Sequence, residues 1–477
     1  MKQTFIARAG AWATLLVTTA TSALAQTNPA PVATPWKPAW LTEASITFRE
    51  GYDNNLFGSG LRPMYYPGSF TGPYAGSVLA EKDHGSFFEM YSPKVAFDLA
   101  KLVDQESALK AFALSYAPEF YTYNSAPSES YIAHRIGSTI ATKCDNISFQ
   151  LDESFVYIDG DKYGPTYPGK YYSAYGYAPA RERREQWQDR TTVAVTYDQP
   201  QWFLRTTASL LDYNLKTDQM AVPTANAAYM NFVDRYDVNG GADVGYKVMT
   251  NFAFTLGYRA GHQYQQKLPV AVDPFGQTSS SDYQRLLFGF EGTPTDWLKV
   301  KLQAGPDFRN YGAKAPVRDS NPVCFYGEGS LTAAASKDDS FAFGYRHGRW
   351  VGSTGMLPAD ENIYDLVYKH QFDNQWSAKL GGRVQSSDYS CGEAWSAGNH
   401  NPETALTYYR NDWLFTYSAG IQYDITASLS VDVAYAICQG RNAQDLADLA
   451  KMPGSQLPAS KRQYDDQTIS MGAKYKF

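Results

Sequence analysis

Beyond Ala25 the chain has no run of about 18 apolar residues, the length a helix needs to cross hydrocarbon. A transmembrane helix is excluded. Cysteine is scarce, at four in 477 residues, and no C-x-x-C pair occurs, which rules out a disulfide scaffold and the usual zinc or dithiol motifs. A basic excess is also missing. The 42 Lys and Arg face 48 Asp and Glu, a formal charge of −6, so a general nucleic-acid binder is not expected. Histidine is limited to His84, His134, His262, His347, His370 and His400. No G-x-S-x-G, H-E-x-x-H or phosphate-cradling loop accompanies them, so neither an enzyme nor a cofactor site is predicted. Asp159-Gly-Asp161 opens like a calcium loop, but Lys170 stands where the twelfth-position Glu belongs.

Aromatic residues and glycine are abundant instead: 15% Phe, Trp and Tyr, led by 37 Tyr, beside 37 Gly. Residues 1–25 read as a signal peptide, with Lys2 and Arg8 before an apolar stretch and Ala23-Leu-Ala25 at the cleavage site. Residues 26–42 are Pro/Ala-rich and read as a periplasmic linker. The remainder, 43–477, is expected to be one all-β unit.

That expectation rests on alternation. Val431, Val433, Tyr435 and Ile437 share one face, and Asp432, Ala434 and Ala436 the other. Leu298, Val300 and Leu302 oppose Lys299, Lys301 and Gln303; Phe252, Phe254, Leu256 and Tyr258 oppose Thr255, Gly257 and Arg259. In a membrane barrel the apolar face meets lipid and the polar face lines water. Eight short turns recur, near residues 103–106, 143–146, 198–201, 249–251, 293–296, 337–340, 373–375 and 424–428. Long Gly/Tyr/Pro/Asp-rich loops separate them, among them 52–85, 160–186, 216–229, 263–281, 386–403 and 440–463. Together with a first strand near Ser45–Gly51 and a last near Thr468–Phe477, they predict a transmembrane antiparallel β-barrel of about 18 strands, with 16 as the nearest alternative. Trp202, Phe252, Trp297, Phe341 and Trp376 each follow a short turn, as an interfacial girdle requires.

The chain ends in an alternating segment, Ile469, Met471, Ala473, Tyr475 and Phe477. Its last residues resemble the terminal signal of bacterial outer-membrane proteins, which implies that Tyr475 and Phe477 serve as an assembly signal for the barrel-assembly machinery. Gly51-Tyr-Asp-Asn-Asn55 resembles the first hairpin of the β-barrel porin family of Gram-negative outer membranes. That resemblance implies a barrel of channel class, and no solute. Read by itself, the Asp/Asn cluster is equally a loop start or a divalent-ion contact.

Phasing the strands by their aromatic faces points a set of side chains inward. Those expected to line a pore are Arg135, Arg190, Arg205, Arg259, Arg285, Arg346 and Arg383, with Asp237, Glu328 and Asp365. Arg49, Lys94, Lys247, Lys299, Lys301, Lys369 and Lys379 share that phase, as do Asp98, Asp152, Asp243, Glu291 and Asp432. A basic constriction would favour anions. Paired with wall acids, the same arginines would be struts.

The functional expectation is an outer-membrane, porin-like channel for passive diffusion of small hydrophilic solutes, with a weak anion preference. The alternative is a non-conducting scaffold, adhesin or receptor displaying Tyr-rich loops such as residues 160–180. Expected partners are outer-membrane lipid and lipopolysaccharide, whose phosphates suit Arg181, Arg183 and Arg184 at the outer rim. Cys324, Cys391 and Cys438 fall near that rim and could include one disulfide, while Cys144 sits at a periplasmic turn.

Overall fold

The computed structural model describes residues 38–56, 85–104, 106–160, 185–216, 234–267, 278–351, 358–389, 411–442 and 464–477. The signal peptide, nearly all of the linker, the Tyr-rich segment 160–180 apart from its first residue, Arg181, Arg183, Arg184, His84, His400 and Cys391 lie outside them. In chain order the first strands are β1 (Leu41–Asp53), β2 (Ser86–Asp98), β3 (Leu109–Tyr116), β4 (Glu119–Tyr123), β5 (Tyr131–Cys144) and β6 (Ile147–Asp159). Then come β7 (Gln186–Asp198), β8 (Trp202–Asn214), β9 (Arg235–Met249), β10 (Phe252–Gln265), β11 (Ser281–Thr295) and β12 (Leu298–Tyr311). The rest are β13 (Val323–Ala334), β14 (Asp339–Trp350), β15 (Ala359–Gln371), β16 (Trp376–Asp388), β17 (Asn411–Asp424), β18 (Leu429–Asn442) and β19 (Tyr464–Lys476).

Every pairing is antiparallel, strands follow one another round the sheet in chain order, and β1 also pairs with β19, so the sheet closes on itself. Both β3 and β4 lie between β2 and β5; the nineteen strands therefore make eighteen staves. The break falls at Ala117-Pro118, where proline has no N–H for the ladder. A strand of thirteen residues such as β1, tilted about 40° at about 3.3 Å per residue, spans roughly 33 Å. That is enough for a bilayer core.

All eight predicted turns are present, and the strands run longer than their sequence signals. Gln263 and Ser386, expected in loops, are strand residues of β10 and β16. Polar strand ends continue the ladder because its hydrogen bonds are backbone groups, indifferent to hydropathy.

The outer surface is that of a transmembrane barrel. On β10 and β11 it carries Phe254, Leu256 and Phe288, each about half exposed, whereas inward-facing Gln263 is completely buried. Four of the turn-following aromatics contact rings across the ladder: Trp202 meets Tyr197 edge-on, Phe341 stacks on Tyr368, and Phe252 and Trp376 lie tilted against Phe290 and Tyr423. Tyr475 and Phe477 face outward at the same end, their rings 5.0 Å apart. Three carboxylates interrupt the apolar belt: Glu50, Glu89 and Glu153 are exposed on its β1, β2 and β6 staves. Glu50 and Glu89 are register partners two residues from the Tyr52–Phe87 ring pair, and Glu153 accepts a hydrogen bond from Ser138 Oγ at 3.4 Å.

Candidate functional site

Every second residue along each strand faces the interior. Alternation brings Arg49 of β1, Arg135 of β5, Arg205 of β8, Arg259 of β10 and Arg285 of β11 to the inner wall. There each meets acid. Arg205 binds Glu291 at 2.7 Å and Asp243 at 2.9 Å, and Arg259 meets the same Asp243 at 2.7 Å. Arg135 pairs with Glu119 at 3.0 Å, Arg49 with Asp432 at 2.7 Å, and Arg285 approaches Asp307 at 3.3 Å. Arg383 stands 3.8 Å from Asp365. Lys247 and Lys94 are also paired, with Asp198 and Glu43 at 2.6 Å each. Of the arginines expected at a free basic constriction, Arg135, Arg205, Arg259 and Arg285 are therefore struts. Their carboxylates come from staves up to three places away, so charge phasing along one strand could not reveal them.

Arg190 and Arg346 differ. Among the described residues neither has a carboxylate within ion-pair distance; the guanidinium of Arg346 lies 5.7 Å from the centre of the Trp350 ring. Among the described residues Lys299, Lys301, Lys369 and Lys379 also form no ion pair, and Lys369 stands opposite Lys379 across β15 and β16. Arg346 stands opposite Glu328 across β13 and β14 and interacts with Glu328 and Asp365, and Lys301 also interacts with Glu328, so the positive charge of the β12–β16 wall is compensated in part. Glu328, expected there as a pore acid, is hydrogen-bonded by Gln303 and by Tyr326 Oη. Asp237 accepts from Tyr283 Oη and Gln263 Nε2, both at 2.8 Å. At the end bearing the short turns, a cavity of about 240 Å³ opens beside Arg205 and Glu291 and is lined by Lys143, Ser148, Asp198 and Phe203.

Sequence phasing missed the most densely bonded part of the lumen, in the half away from the short turns. Arg309 is fully buried, paired with Asp307 at 2.9 Å and donating to Gln263 Oε1 at 2.7 Å. Its NH2 group also donates to the carbonyl of Arg349 at 2.7 Å, and Arg235 donates to the carbonyl of Val351 at 3.2 Å. The alternation that could have placed Arg309 and Arg235 inward runs to the last residues of β12 and the first of β9, beyond the stretches whose apolar faces declare it. A second, apolar cluster lines β2, β4, β5 and β6: Phe88, Met90, Tyr123, Tyr131, Val156 and Ile158 bury Leu56, which follows β1.

Outside the lumen, His134 stacks between Tyr116 and Tyr157, His370 contacts Asp339 at 2.8 Å, and His262 meets Asp282 at 2.7 Å. Cys324 and Cys438 lie on β13 and β18, five staves apart, so a disulfide between them is excluded; Cys144 is exposed.

No protein-family model matches the chain, and no curated protein does. Among solved structures it is similar to OccK2 (OpdF) of Pseudomonas aeruginosa, crystallised with glucuronate, at 10% identity and a TM-score of 0.38, over 91% of this chain and 98% of that one. OccAB3 of Acinetobacter baumannii gives 11% and 0.36 over 91% and 99% of the two chains. The FrpB iron transporter of Neisseria meningitidis gives 10% and 0.37 over 91% and 81%. Scores this low carry no weight for what the present chain does.

Proposed function

We propose that this protein is a porin-like channel of the bacterial outer membrane, through which small hydrophilic solutes diffuse passively. The observation that carries the reading is the pairing of a closed eighteen-stave wall, apolar outside, with an interior of ionised and hydrogen-bonding side chains. Such an interior suits water and would be costly to desolvate in a dry core. Strand-borne side chains, among them Arg190, Arg346, Arg383, Glu328 and Asp365, line the path, and no energy source or cofactor takes part.

Lys299, Lys369 and Lys379 on β12, β15 and β16, which form no ion pair among the described residues, support a weak anion preference, because a low-dielectric wall focuses the field of such charge into the lumen. The paired arginines contribute little to it. Their role is to hold the wall's shape. Lipid and lipopolysaccharide surround the belt, and Tyr475 and Phe477 on the closing strand present the segment that the barrel-assembly machinery reads.

Liposome swelling tests the reading. Vesicles containing the purified protein swell in isotonic solutions of small sugars or amino acids at rates that fall as solute size rises. Vesicles that swell no faster than protein-free controls favour the non-conducting scaffold.

A further inference from the structure

The lipid face of β6 carries a carboxyl group at the depth where a barrel tolerates one least. Glu153 stands six residues from either end of that strand (Ile147–Asp159), about 15 Å from each rim at the tilt of the staves. It is exposed there. Glu50 and Glu89 also point outward, but three residues from the outer ends of β1 and β2, within reach of headgroups and water. Among the described residues no other stave turns a carboxylate or a cation outward at mid-height. There β10 and β11 present Tyr258 and Phe288, and β18 and β19 present Tyr435 and Met471.

The register partners of Glu153 are Ser138 on β5 and Thr191 on β7, so three polar side chains lie in one row. Leu114 of β3 and Leu210 of β8 close that row on either side. Ser138 Oγ donates to Glu153 at 3.4 Å, a long bond, and Thr191 turns its hydroxyl to Asp189 at 3.2 Å. Among the described residues Glu153 has no cation partner. Acyl chains offer a carboxyl group nothing, and leaving one in hydrocarbon is costly. Whatever covers this face must therefore bring a hydrogen-bond donor to mid-depth. Ser138 is such a donor, one stave away and about 3 Å different in depth.

We propose that a second copy of this chain covers the face, in an isologous dimer whose two-fold axis runs along the membrane normal between β5 and β6. Two barrels inserted with the same orientation form a closed pair only about such an axis. It sets each Glu153 against the Ser138 hydroxyl of the other barrel, and two reciprocal hydrogen bonds result. Ile136 and Ile140 of β5, with Leu151 and Phe155 of β6, frame them with apolar surface. A patch that holds both the acceptor and its donor is complementary to itself, as an isologous contact requires. The dimer needs the membrane barrel and not its conduction.

The test follows energy transfer between copies labelled at Cys144, the exposed thiol at the end of β5. The full protein, in a C324S/C391S/C438S background, is refolded in dilute lipid vesicles, and heat-modifiable migration confirms that each variant is folded. The parent shows transfer above chance proximity, and it persists as lipid is added. E153L, which suits a lipid-facing position, folds at least as well and weakens association roughly tenfold, the worth of two hydrogen bonds in a bilayer. S138A weakens it likewise. E153Q keeps an acceptor and retains most of the transfer, and E89L, near the outer end of β2, changes nothing. A parent without transfer is a monomer with Glu153 left to lipid, which overturns the dimer. Transfer in E153L and S138A equal to that of the parent overturns it as well.

Discussion

Asn54 Oδ1 accepts a hydrogen bond from the backbone N–H of Gln467 at 3.0 Å, tying the end of β1 to β19. Asn55 Nδ2 donates to the carbonyl of Asp465 at 2.9 Å, and buried Asp53 turns the chain by accepting from the N–H of Asn55 at 2.8 Å. Gly51 completes the motif, because a Cβ there would stand 2.4 Å from the ring of Phe88. The Gly-Tyr-Asp-Asn-Asn segment thus serves as the outer clasp of the seam where the barrel closes.

N54A and N55A should each cost about 0.5–1.5 kcal/mol, the net worth of one hydrogen bond. The readout is the urea concentration at which heat-modifiable migration is lost. Both variants should unfold earlier than the parent, and a double variant earlier still.

Asp243 is 2% exposed between Arg205 and Arg259, whereas the Asp432 side chain is 24% exposed beside Arg49. D243N leaves Arg259 without a carboxylate in a poorly solvated site, while Arg205 keeps Glu291, and should cost about 3 kcal/mol. D432N, in reach of luminal water, should cost about 1 kcal/mol or less. Equal unfolding midpoints for the two variants would count against the strut role of the β8–β11 network.

The two faces of β10 should respond oppositely to charge. L256R places a guanidinium on the lipid belt, at a cost of about 2–4 kcal/mol near the bilayer midplane. T255R, one residue away and facing the lumen, should fold close to normally and shift the reversal potential toward anions. Refolding yield in lipid vesicles and conductance separate the two.

Asp373, in the turn between β15 and β16, accepts the N–H groups of Gln375 and Trp376 at 2.8 and 2.7 Å. These bonds favour its charged form and hold its carboxyl below the usual range. The sign follows: stabilisation is complete above the unfolded-state value of about 3.9 and disappears as pH falls through the lowered folded-state value. Urea midpoints of the parent and D373N should be furthest apart at neutral pH and converge in acid.

Much of the barrel was legible because lipid imposes a simple rule on every strand. Val433 and Asp432, or Leu302 and Lys301, declare their faces with no knowledge of a partner. The short turns do the same for strand count, and even the break at Pro118 has a local cause. Pairing is another matter. Arg49 and Asp432 are 383 residues apart, and Arg205 and Glu291 are 86 apart. Which luminal arginine is neutralised and which stays free depends on registers across several staves. The hydrogen bonds that the carbonyls of Arg349 and Val351 receive left no signal in alternation, since their donors come from β9, β10 and β12.

The most direct measurement is the current through a planar bilayer after addition of the purified protein. An open, water-filled barrel gives discrete, ohmic conductance steps with a reversal potential displaced to the anion side. Folded, heat-modifiable protein that inserts without passing current, or passes cations preferentially, would contradict it.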